Sequence, residues 1–269
     1  MELRLVGSEM CIRDRTYFVS APDEDYLANN LRRFIPDRLA YFLIRIRNIS
    51  FQQFFFKRAR AYPEQAKERI LNMVKEELPE DIVNKHFTPS YNPWDQRICL
   101  IPNSDFFESI KAKTSSVVTD HIEKFEEKGI RLKSGNFLPA DLIVTATGLI
   151  LESFGGVKMS VDDKPIEASD TYTYRSLMYS GIPNLVSCFG YINASWTLKA
   201  DLTSEYVCRL IKHMKKNDFE VVCPQFEVDI EESDDFLNGF SSGYIKRAAD
   251  SQPKQGKEKP WLNLQEYCK

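Results

Sequence analysis

The stretch Ala140-Asp141-Leu142-Ile143-Val144-Thr145-Ala146-Thr147-Gly148 decides the reading of this chain. Leu142–Thr145 is an apolar, β-branched run and reads as a buried strand that ends in Ala-Thr-Gly. Small residues at the C-terminal end of a strand let the backbone pass close to a nucleotide. Just upstream the hydrophobic period is two. Ser116–Thr119, His121–Phe125 and Ile130–Leu132 read as short strands, with turns at Lys128-Gly129 and Ser134-Gly135. Alone, Asp-Leu-Ile-Val-Thr-Ala-Thr-Gly fits any α/β protein, so its neighbours have to carry the argument.

Towards the N-terminus the pattern is helical. Thr16–Ser20 reads as the end of a strand closed by Ala21-Pro22, and Asp23 can cap a helix through Tyr26, Leu27, Leu31 and Phe34. Pro36 opens a second helix from about Asp37 to Ala61, crowded with Tyr41, Phe42, Phe51, Phe54, Phe55 and Phe56 among arginines. A basic, aromatic helix can lie on an anionic membrane surface. The reading favoured for it is a buried helix with snorkelling arginines, because aromatics occur almost all round it. Pro63 opens a third helix, Glu64 to Leu78. Met1–Arg15 resembles translated sequencing-adapter read-through and is expected to be a non-native segment. The rival reading is a genuine start with a strand at Leu3–Val6.

Two further stretches carry chemistry. His86-Phe-Thr-Pro-Ser-Tyr91-Asn-Pro-Trp94-Asp-Gln-Arg97-Ile-Cys-Leu-Ile-Pro102 is irregular and punctuated by prolines. Such a loop can hold the Arg97 guanidinium in one place, which an anionic intermediate requires. The plainer reading pairs Arg97 with Asp95 or stacks it on Trp94. Downstream, Asn184–Phe189 reads as another buried strand. It leads through Gly190 into Gly190-Tyr-Ile-Asn193-Ala194-Ser195-Trp196, where Asn193 or Ser195 caps a helix running from Ser195 to about Lys215. A helix N-terminus offers free N–H groups and partial positive charge to an anion or an electron-rich ring edge. An ordinary capped helix explains the same residues.

The bulk numbers exclude several classes. A net charge of −3 with pI about 5.8 argues against a nucleic-acid protein. The six cysteines, at 11, 99, 188, 208, 223 and 268, contain no Cys-x-x-Cys pair, so no metal is expected, and a reducing, cytoplasmic compartment is the default. No apolar run reaches the roughly 20 residues of a membrane span.

Together the three stretches, in this order and at this spacing, resemble class B flavoprotein monooxygenases. The likeness is greatest to the Baeyer–Villiger subgroup that includes ethionamide-activating enzymes. The resemblance covers the chain from Thr16 onward and implies an α/β fold, the C-terminal part of a flavoprotein with two dinucleotide-binding domains. Residues 16–147 would be the remainder of the NADPH domain, with a helical insertion at about 23–78. Residues 148–216 would be the C-terminal part of the FAD domain, and 217–269 a C-terminal tail. The implied cofactors are FAD and NADPH. With O2 they would insert one oxygen atom into a ketone, or oxidise a sulfur centre, through a C4a-peroxyflavin. By the same resemblance Arg97 matches the family's active-site arginine. Ala146, Thr147 and Gly148 form the turn between domains, and Asn193, Ala194, Ser195 and Trp196 face the flavin's pyrimidine edge.

The departures are large. The family's glycine fingerprints for FAD and NADPH are missing, and none of the eleven glycines forms a Gly-x-Gly. The chain is therefore expected to be a fragment, inactive alone, with no cradle for a pyrophosphate. Two rivals stay open. One is an N- or S-oxygenating flavin monooxygenase that does not use Arg97. The other is a non-catalytic membrane-surface protein built on Asp37–Ala61.

Overall fold

The computed structural model describes residues 8–191, 194–226, 231–233 and 242–263. The architecture is mixed α/β, with sheets of two or three strands. The chain divides into two compact units, Met1–Asn48 with Phe54–Thr147, and Ile49–Gln53 with Gly148–Lys269.

In the first unit, β1 (Ser8–Ile12) pairs in parallel with β4 (Ser115–Thr119), from Ser8↔Ser115 to Ile12↔Thr119. Five of the fifteen residues expected to be non-native thus carry a ladder. A second parallel pair joins β2 (Phe18–Ala21) to β3 (Cys99–Pro102). Between β2 and β3 run four helices: α1 (Tyr26–Phe34), α2 (Asp37–Ala61), α3 (Pro63–Glu77) and α4 (Glu80–His86). The cap of α1 is Asp25, not Asp23, and its side chain accepts from the Ala28 N–H at 3.0 Å. Pro79 ends α3 and also starts α4, whose acidic first turn (Glu80, Asp81) and basic last turn (Lys85, His86) suit the helix dipole.

The core of this unit is Val74, Leu78, Val83, Phe87, Ile101 and Phe107, with Phe18 and Phe106 packed against it. Phe18 meets Phe87 edge-on at 5.4 Å and stacks on Phe106 at 5.6 Å. This core ties α3, α4 and α5 (Asp105–Lys111) to the β2–β3 pair. A meander of β5 (Ile122–Glu126), β6 (Gly129–Leu132) and β7 (Phe137–Pro139) follows.

Helix α2 departs from the buried helix that its sequence suggests. Only Ala40 and Ala59 are buried on it. Tyr41, Phe42, Phe51 and Phe54 are each more than half exposed. Aromatics spread round the whole helix cannot all face one core, and the two small residues take the contact positions.

In the second unit two hairpins, β8 (Met159–Val161) with β9 (Lys164–Ile166) and β10 (Thr173–Tyr174) with β11 (Met178–Tyr179), precede α6 (Trp196–Lys216) and α7 (Gly243–Ala248). The hairpin turns put Asp162, Asp163, Arg175 and Ser176 at positive φ. The strand expected to be buried near the end of the first unit, and the one in the second, are not strands. Leu142–Thr145 forms no ladder, with Leu142 72% and Val144 82% exposed. Asn184–Phe189 makes only scattered backbone bonds, Asn184 N–H to the Val222 carbonyl at 2.9 Å and Ser187 N–H to the Leu177 carbonyl at 2.8 Å. The cause is pairing. A run that is apolar on both faces becomes a strand only between two neighbours, and no described residues fill those places.

Candidate active site

Arg97 lies at the end of a loop that is tied down at many points. Tyr17 is fully buried, and its hydroxyl donates to the Tyr91 carbonyl at 2.5 Å. The two rings meet edge-on at 5.6 Å. The Tyr91 hydroxyl donates to Thr16 Oγ1 at 3.2 Å, and Thr16 Oγ1 donates in turn to the Arg97 carbonyl at 3.4 Å. Burial pushes both phenols up, so they stay protonated and serve as donors. Pro89 and Pro93 are fully buried.

The loop's acid is taken by a residue outside the loop. Asp95 Oδ1 accepts from the Arg60 guanidinium at 2.6 Å, and Asp95 Oδ2 accepts from the Asn92 N–H at 3.0 Å. The plainer reading of Arg97, as the partner of Asp95, therefore gives way. Arg60, eight basic side chains among α1 and α2 notwithstanding, was not singled out by sequence, since nothing in the spacing links residue 60 to residue 95. Trp94 does not take Arg97 either. Its ring meets Phe56 edge-on at 5.4 Å. The Arg97 side chain is exposed, with no ion pair or hydrogen bond among the described residues.

His86, at the other end of the motif, is structural. It is 8% exposed, and its Nδ1 lies 2.7 Å from Thr119 Oγ1. Burial, with Lys85 and Arg15 adding to it, holds its pKa below the ordinary value of 6.5, which favours the neutral ring.

The turn Ala146-Thr147-Gly148 is exposed. Gly148 has φ +111°, a conformation that side chains rarely adopt, so glycine is required there. The boundary between the two units falls between Thr147 and Gly148.

In the second unit, Ala194, Ser195 and Trp196 come together at the start of α6, and Asn193 lies outside the described residues. Ser195 is the N-cap by position but makes no side-chain cap bond; its hydroxyl lies 2.8 Å from Thr197 Oγ1. The first N–H groups of α6 thus keep no side-chain cap from Ser195. Trp196 packs on the bare backbone of Gly190. A Cβ there would come within 2.2 Å of the indole. One turn further, the Lys199 ammonium sits 5.3 Å from the ring centre of buried Tyr191. Burial pulls the Lys199 pKa down, against the smaller opposing effect of Cys188.

These residues fit one edge of a flavin and no more. A helix N-terminus with a nearby cation suits an electron-rich ring edge. No Gly-x-Gly exists to seat a pyrophosphate, and Gly190 is closed off by its own tryptophan. Among the described residues no group of His, Cys, Asp or Glu could hold a metal ion, and no helix is long and apolar enough to cross a membrane.

No family model and no solved structure matches the chain. Curated proteins do match. The chain is 45% identical over 262 residues to the FAD-containing monooxygenase EthA of Mycobacterium tuberculosis, covering 97% of this chain and 53% of that protein. It is 43% identical over 258 residues to the probable FAD-binding monooxygenase AlmA of an Acinetobacter species, covering 96% of this chain and 52% of the relative. It is 40% identical over 260 residues to the putative FAD-containing monooxygenase MymA of M. tuberculosis. The chain spans about half the length of the curated relatives it matches. Residues 16–269 make up about 94% of the chain, so a match over 97% takes in part of Met1–Arg15. The similarity, at 40–45% identity over almost the whole chain, supports a flavin monooxygenase family for this protein.

Proposed function

We propose that this chain is the C-terminal half of an FAD- and NADPH-dependent monooxygenase of the Baeyer–Villiger type, acting on a ketone or a sulfur centre. The observation that carries this reading is Arg97. It is an exposed arginine without a partner among the described residues, on a loop whose own acid is occupied by Arg60. A guanidinium left free on a fixed loop is suited to a negative charge that comes and goes, because it loses no resident partner when the charge forms.

FAD, reduced by NADPH, would supply the activation of O2 when bound. The chain's own residues do the rest. The Arg97 guanidinium meets the negative charge that develops on oxygen. The N–H groups at the start of α6, to which Ser195 gives no side-chain cap, and the Lys199 ammonium one turn on would favour electron density at the pyrimidine edge. Gly148 takes a backbone conformation that other residues rarely adopt, at the boundary between the two units. In the longer protein, strands from the preceding half would pair with Leu142–Thr145 and Asn184–Phe189 and exclude water from the site.

The test has two arms. The purified chain is expected to show no flavin band in its visible spectrum; a band near-stoichiometric with protein overturns the fragment reading. A full-length enzyme carrying this chain is then given a ketone and a sulfide. Ester or lactone from the ketone supports the Baeyer–Villiger reading. Sulfoxide alone transfers the assignment to an S-oxygenating enzyme.

A further inference from the structure

We propose that the face of α2 carrying Phe56 and Arg60 is a latch that sets the position of Arg97, which makes Arg60 a positioning residue. The inference rests on the role of Arg97 given above.

The loop between Tyr91 and Arg97 holds an unfavourable conformation. Trp94 has φ +71°, rare for so bulky a side chain. Its indole Nε1 is buried with no hydrogen-bond partner among the described residues. Both features cost free energy and persist only where the surroundings over-determine them. Such strain clusters where a geometry has to be held.

Two contacts from α2 hold it. Phe56 meets the Trp94 ring edge-on at 5.4 Å, and Arg60 takes Asp95 at 2.6 Å. Phe56 and Arg60 are four residues apart, so they share one face of the helix. The loop is also tied to Thr16 and Tyr17, the two residues that lead into β2. The chain from Tyr91 to Arg97 is thus gripped at several points while the Arg97 side chain stays free.

The test is limited proteolysis of the chain by trypsin, comparing the cut after Arg97 with a control cut after Lys133, in the turn between β6 and β7. Arg60→Gln and Asp95→Asn should each speed the Arg97 cut relative to the Lys133 cut, by about threefold for a half-exposed pair that guards local opening. The double variant should be no faster than either single one, and Arg60→Lys should stay near wild type. An unchanged Arg97 cut in Arg60→Gln overturns the latch. So does a parallel rise at both sites in the two single variants, which is general loosening. In the full-length enzyme, Arg60→Gln should lower product formed per NADPH consumed with the KM for NADPH held, and Arg60→Lys should restore it. If Arg97→Ala is uncoupled and Arg60→Gln is not, the latch is wrong. If the loop loosens and neither variant is uncoupled, the role of Arg97 is wrong and the latch is only structural.

Discussion

Replacing Arg97 by alanine in a full-length enzyme separates a catalytic guanidinium from an incidental one. The structure sets two limits on the effect. In this chain the Arg97 side chain is exposed and makes no ion pair among the described residues. A unit charge about 4 Å from a developing negative charge gains about 1 kcal/mol in bulk water and about 4 kcal/mol at an effective dielectric of about 20. Those figures correspond to roughly fivefold and roughly 1000-fold in rate. With the site closed over, the loss of oxygenated product should fall near the upper limit, about 100- to 1000-fold. Flavin reduction by NADPH should persist, because hydride transfer does not need this charge, and reducing equivalents should appear as hydrogen peroxide. Arg97→Lys should recover part of the product, since an ammonium lacks the planar fork. The assay is product formed per NADPH consumed, with peroxide measured alongside. A wild-type ratio in Arg97→Ala refutes the reasoning. A loss of only about fivefold means that Arg97 works as a solvated charge.

Three further expectations follow from the geometry. Gly190→Ala places a Cβ within 2.2 Å of the Trp196 indole, near the fixed end of that side chain, and should lower the urea midpoint by an overpacking cost of about 1–3 kcal/mol. Combining it with Trp196→Ala should recover most of that loss, and a double variant no better than Gly190→Ala counts against the contact. His86 has a folded pKa below its ordinary 6.5, so the unfolded chain binds its proton first, and this stabilising effect, present above pH 6.5, fades as pH falls through the lower folded value. His86→Gln should flatten the fall in urea midpoint between pH 7.5 and pH 5 by its share; an unchanged slope removes His86 as a cause. Deleting residues 1–15 removes the partner of β4 and should lower the melting temperature by about 2–4 °C, whereas an unchanged melt leaves the segment outside the fold, as its adapter-like sequence suggests.

Much of the helical half was legible because its signals are local. Pro36 and Ala61 bracket α2, and the period-two run before Lys128-Gly129 marks the meander. The start of α6 was legible at Ser195, which stands at the cap position although its side chain makes no cap bond. What the sequence hid depends on distant partners. Cys99–Pro102 becomes a strand only because Phe18–Ala21 lies beside it, and prolines on both sides disguise it as loop. The helix Glu80–His86 was hidden because a proline directly after Leu78 masks the start of a new helix, although its end charges are those of a helix. In the candidate site, Arg97 was visible as a residue type in a rigid loop, while its surroundings were not. That Asp95 belongs to Arg60 and Trp94 to Phe56 is a fact of tertiary packing over more than thirty residues of chain. The strand pattern at Leu142–Thr145 remains a strand pattern, but a ladder is a property of pairs, and these residues have no described partner.

The exposed face of the helical block has a consequence for handling the molecule. Between Tyr26 and Tyr62 the chain carries eight basic residues and one acidic residue, a balance of +7 in a chain whose total is −3, which leaves −10 on the rest. A bead or surface of either sign therefore finds something to hold. At neutral pH this acidic protein should be retained by a cation exchanger through α1 and α2, elute early as salt screens that patch, and bind an anion exchanger through the remainder. Its isoelectric point of about 5.8 is then a poor guide to which column to choose.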